Sequence, residues 1–172
     1  MPKNVYVNVI GHRLIDNDNV VEDITSVSQP TLEHPTTSIT KVSGMAADVD
    51  IPNRARLNAM ELTINHNNGR NCRYLSTPGR HNLEFRTVRQ NYVVSEGDAK
   101  NESVKWRYIC DHKSSEKGNI EMGNPYGSTE KYSVLRYEEE INGEVVTIVD
   151  AMSGILRWNG VDVTDEIEGM LN

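Results

Sequence analysis

The sequence predicts a mainly β protein, an antiparallel β-sandwich/barrel with a short helix near 69–77 and a C-terminal helix near 164–171. Three observations predict it. Apolar residues alternate with polar ones in several short runs, the period of a half-buried strand. Clusters of Gly, Asn, Ser and Pro punctuate those runs: "NHNNGRN", "STPGRHN", "SEGDAKN" and "MGNPYGS". Helical periodicity is confined to two short segments.

In chain order, "NVYVNVI" (4–10) is Val-rich and alternating, hence a strand. Residues 35–52, "PTTSITKVSGMAADVDIP", are β-prone and rich in small residues, with Gly44 near the centre and proline at both ends. They read either as a hairpin projecting from the body at about 36–50 or as an extended loop. "MELTI" (60–64) places Met60, Leu62 and Ile64 on one face. "NGRNCRYLST" (68–77) has room for one or two helical turns before Pro78-Gly79. "NLEFRTVRQNYVV" (82–94) alternates loosely, and "ESVKWRYICDH" (102–112) strictly, with Val104, Trp106, Tyr108 and Cys110 on one side. Between "YEEEI" and "EVVTIVD", Asn142-Gly143 reads as a two-residue type I′ hairpin, because Asn and Gly tolerate the positive φ that this turn needs. Asp162 or Thr164 can cap the last helix, acidic residues 165, 166 and 168 suit its N-terminus, and Ile167, Met170 and Leu171 share a face.

The chain of 172 residues suits a single domain over 1–172, without internal repeats. Apolar residues make up 37% and charged residues 25%, values of a globular and not a disordered chain. No run reaches the ~18 apolar residues of a membrane span, and "MPKNVYVNVIGHR" lacks the layout of a signal peptide. Cys72 and Cys110 are far apart, which suggests free thiols in a reducing cytosol. A net charge of −7 argues against a protein that grips nucleic acid, which is done with Lys and Arg clusters.

Candidate chemistry is sparse. His66, Cys72, His81, Cys110 and His112 match no zinc spacing and read as core or interface packing. Nucleophile-elbow, Walker and dinucleotide signatures are missing, and Asp48/Asp50 have no sugar-stacking groove around them. No catalytic residue, metal site or cofactor is expected. The unusual feature is Glu138-Glu139-Glu140, which puts carboxylates on both faces of one strand. Counting back from the turn pairs Glu140 with Val145 and Glu138 with Thr147. That register sets Arg136, Glu138, Glu140 and Thr147 on one face. Leu135, Tyr137, Ile141, Val146 and Ile148 lie on the other, toward the core.

The order of features in "YSVLRYEEEINGEVVTIVDAMSGILRWNGVDVTDEI" (132–167), with "VVEDITSVSQPTLEHPTTSITKVSGMAADVDIP" (20–52) and "MELTIN", resembles the major tail tube protein of contractile-tailed bacteriophages and of phage-tail-like R-type bacteriocins. The resemblance implies a non-enzymatic structural subunit. Homohexameric rings would stack into a rigid tube, driven through a bacterial envelope when a surrounding sheath contracts. It assigns inter-subunit or inter-ring contact to Ile39, Thr40, Lys41, Val42, Ser43, Gly44, Met45 and Ala46. Arg136, Glu138, Glu140 and Thr147 become lumen or interface candidates, where carboxylates would repel passing DNA. The implied partners are further copies of the chain, the sheath, baseplate and tape measure proteins, with DNA passing unbound in a phage and no membrane anchor. The implied location is a tail or bacteriocin particle assembled in the bacterial cytoplasm. A type VI secretion-like tube protein and a carbohydrate-binding β-sandwich are the alternatives.

Overall fold

A computed structural model describes residues 3–172. The elements are β1 (Asn4–Asp16), β2 (Asn19–Val21), β3 (Ile24–Ser28), β4 (Thr36–Ile39), β5 (Val49–Pro52), β6 (Met60–His66), a 3₁₀ helix (Arg70–Ser76), β7 (Arg80–Val93), β8 (Asp98–Glu116), β9 (Ser128–Ile141), β10 (Glu144–Asp150), β11 (Ile155–Trp158), β12 (Val161–Asp162) and α1 (Asp165–Leu171).

Ten strands form one antiparallel sheet in the order β12-β11-β10-β9-β8-β7-β1-β2, with β6 joined to β9 and β3 to β6. The mainly β, antiparallel character is as expected, and the sheet is not closed into a barrel. β9 serves two partners in turn: Ser128–Val134 pair with β6, and Arg136–Ile141 pair with β10. Leu135 is the extra residue at this changeover, since Ile109 faces Arg136 and Cys110 faces Val134 on β8.

Alternation fixes which side is buried. Met60, Leu62, Ile64 and His66 of β6 point into the core, as do Tyr108 and Cys110 of β8 and Tyr132, Val134 and Tyr137 of β9. Each fully buried Leu or Ile here stabilises the fold by about 1.5–3 kcal/mol. The segment at 70–76 is 3₁₀ and not α: the Cys72 N–H donates to the Gly69 carbonyl three residues back. It covers one end of the core, where Leu75 is buried and its carbonyl accepts the Tyr132 hydroxyl at 2.6 Å.

The region 36–52 holds a two-stranded hairpin. β4 and β5 pair with each other alone, from Thr36 opposite Pro52 to Ile39 opposite Val49. α1 forms where expected, and Asp162 accepts both the N–H and the hydroxyl of Thr164 just before it. Its apolar face is uncovered: Ile167, Met170 and Leu171 are all exposed.

Candidate functional site: one charged sheet face and one open edge

The turn at Asn142-Gly143 has φ of 49° and 85°, both positive as type I′ requires. Glu140 faces Val145 as expected, but the register then shifts. Val146 is an extra residue, Thr147 faces Glu139, and Ile148 faces Glu138. A single inserted residue inverts every later position of a strand with a period of two. Thr147 therefore leaves the expected group and is buried on the core side with Tyr137 and Val149, while Ile148 joins the charged face. The core-facing set of Leu135, Tyr137, Ile141, Val146 and Ile148 is corrected likewise: Tyr137 and Val149 carry that packing, and Leu135 and Val146 are the bulge residues.

Arg136, Glu138 and Glu140 do share a face, and the sheet brings other charges to them. Cross-strand partners put Lys105 opposite Glu140, Arg107 opposite Glu138 and Glu84 opposite Arg107. Arg107 reaches Glu138 at 2.6 Å through Nη1, Glu140 at 2.7 Å through Nη2 and Glu84 at 3.6 Å through Nε. Lys105 holds Glu140 at 3.2 Å, Arg136 holds Glu138 at 3.4 Å and Asp150 at 3.5 Å, and Arg86 pairs with Glu84. The Arg107 hydrogen bond, ahead of that from Lys105, keeps the Glu140 carboxyl below its ordinary range. Glu139 points to the other face, where it accepts from the Tyr137 hydroxyl at 3.3 Å. Glu138 and Glu140 are thus neutralised by cations from β8 and β9 and are not a bare acidic surface.

The hairpin residues Ile39–Ala46 cap β4 and β5 away from the main sheet. Lys41 and Gly44 have φ of 55° and 93°, and the Met45 N–H donates to the Val42 carbonyl at 3.2 Å. Asp48 accepts the Lys41 N–H, and Asp50 accepts the Ser38 hydroxyl, so this acidic pair fastens the hairpin. Open space surrounds Gly44.

The other conspicuous surface is the outer edge of β1. β2 covers that edge only from Leu14 to Asp16. From Asn4 to His12 the strand carries no Lys, Arg, Asp or Glu, and Val5, Tyr6, Val7, Val9 and Ile10 are exposed. An uncharged apolar edge of this length is a template for strand addition, and monomeric proteins avoid one.

His66, His81, His112 and the two cysteines serve the core. His81 pairs with Asp16 at 2.9 Å and with the Thr77 carbonyl at 2.7 Å. Fully buried Glu130 accepts from His112 at 2.8 Å, Ser115 at 2.7 Å and His66 at 3.4 Å. Burial pushes the Glu130 carboxyl up, but those hydrogen bonds together outweigh it and hold it below its ordinary range. Burial raises Asp16, only partly offset by His81, and pushes the Cys110 thiol up to about 12. The sequence reading missed Glu130; the signal was its place in "STEKYSV" at the same parity as Tyr132 and Val134.

No curated protein matches this sequence. Among solved structures the fold is similar to a chain of the sheath-tube complex of the PVC extracellular contractile injection system in its extended state. That match has a TM-score of 0.52 at 8% identity, over 75% of this chain and 87% of the other. A chain of the PVC sheath/tube terminator is also similar, with a TM-score of 0.52 at 8% identity, over 78% of this chain and 96% of the other. The family model described as phage tail tube protein FII matches residues 12–170, nearly all of the ordered strands and α1. The chain therefore belongs to the phage tail tube protein FII family and is a structural subunit of a tail tube.

Proposed function

We propose that this chain builds the inner tube of a contractile tail or phage-tail-like particle. Copies join side by side into homohexameric rings, and the rings stack into a rigid conduit that sheath contraction drives through a bacterial envelope. The tube works mechanically and catalyses nothing. Its partners are further copies of itself, a sheath protein, and the baseplate and tape measure proteins, and it assembles in the bacterial cytoplasm. The observation that carries this reading is the uncovered edge of β1: nine uncharged residues with five exposed apolar side chains need another strand beside them. The second copy supplies it, and the charged face of β7–β10 then lines the lumen.

The first test is negative-stain electron microscopy of the concentrated protein alongside its mass in solution. Hollow tubes or sixfold rings are expected. The double variant Val7→Lys, Ile10→Lys should stay folded, because both side chains are already exposed and such surface changes usually cost under about 0.5 kcal/mol. It should form neither rings nor tubes. Tubes from the variant would remove β1 as the seam, and a wild-type protein that is monomeric at every concentration would count against the tube reading itself.

A further inference from the structure

The charged face is balanced in a chain that is not. Arg86, Lys105, Arg107 and Arg136 meet Glu84, Glu138, Glu140 and Asp150, four cations against four carboxylates, all joined by ion pairs. The chain as a whole carries −7. All three guanidinium nitrogens of Arg107 face carboxylates, and both terminal nitrogens of Arg136 do so too. The cations are the more exposed partners: the Arg107 side chain is 39% exposed, and Glu140 beneath it 11%.

A guanidinium fork binds phosphate through the same N–H groups that bind carboxylate. We propose that the carboxylates of this face make it non-adhesive to polyanions by occupying the donors of Arg107, Arg136 and Lys105, and not by repelling phosphates from a distance. This rests on the reading that the face lines a conduit, and it names how a passing nucleic acid avoids sticking to a wall that presents arginines. Simple repulsion predicts a surplus of carboxylates here, and the block has none. Arg13 opposite Arg86 and Arg157 opposite Ile148 lie at its two margins, but two phosphate contacts are too few to hold a polyanion.

The inference can be tested on the soluble subunit with a double-stranded DNA oligonucleotide as the probe. Wild type should show no binding at 50 mM salt. Glu138→Gln, Glu140→Gln frees Arg107, Lys105 and one arm of Arg136 and should bind. With about three cations freed, the logarithmic salt slope would be about −2.7, so affinity should fall about 40-fold between 50 and 200 mM salt. Adding Arg107→Gln to that variant should abolish most of the binding. Glu166→Gln, Glu168→Gln on α1 changes the net charge equally and should bind nothing. Either single variant, Glu138→Gln or Glu140→Gln, serves if the double one does not fold.

Equal binding by the face and α1 variants would reduce the effect to net charge and overturn the inference. So would binding by wild type, or none by any face variant. None of these outcomes touches the tube reading, which stands or falls on rings and tubes seen by microscopy.

Discussion

Glu130 shows at the scale of one residue how a buried charge is tolerated. It has no solvent exposure, yet donors from β6 and β8 converge on it. The His66 tautomer follows from its neighbours: Nδ1 accepts the Asn68 N–H at 3.1 Å, so Nε2 carries the proton offered to Glu130. A carboxyl held low in the fold contributes stability that is present above its unfolded value, near 4.3, and lost as pH falls through the folded one. Glu130→Gln should therefore cost about 2–4 kcal/mol at pH 7, because charged hydrogen bonds are replaced by an amide facing donors. In chemical denaturation followed across pH, the gap from wild type should begin to narrow as pH falls below the unfolded value near 4.3 and close as it falls through the lower folded one, where Glu130 is itself protonated. A gap that stays constant from pH 7 to pH 3 would mean that its charge adds nothing. The residue was visible in the sequence only as a polar letter in an apolar register, and its partners lie 15 to 64 positions away.

At the scale of elements, one device was legible locally. The Asn142-Gly143 turn follows from residues that accept positive φ, while the small residues and flanking prolines of 35–52 left hairpin and extended loop both open. What was not legible was the bulge at Val146, because nothing in "EVVTIVD" distinguishes it from a regular strand. The hairpin carries its own prediction. Gly44 has φ of 93° with open space around it, so Gly44→Val strains only an isolated loop and should leave the thermal midpoint within a few degrees, while its backbone strain of about 1–2 kcal/mol reshapes the tip. If Ile39–Ala46 make the contact between rings, single rings should persist and long tubes should be lost under the microscope. Wild-type tube lengths from the variant would sink that role.

Across the whole molecule, one core binds the sheet together. β6 is the clearest case, since Leu62 and Ile64 have no exposure and pack on β9 residues about seventy positions further on. Leu62→Ala should cost about 2–5 kcal/mol, read as a lower denaturation midpoint with an unchanged slope, and the 3₁₀ helix should unfold with the sheet. A change confined to the 60–76 region would show that it is a separate cooperative unit. By itself the sequence determined the strand class, the turn chemistry, the parity of Met60, Leu62 and Ile64, the placing of α1 and the family resemblance, because each depends on neighbours a few residues apart. Only the tertiary structure decided where Thr147 points and that Glu138 and Glu140 are neutralised. It also decided that, among the described residues, β1 pairs with β7 on one edge and has no strand on its outer edge from Asn4 to His12. Bulges, cross-strand charges and free edges are set by which distant strands meet, and a period of two carries no record of that meeting.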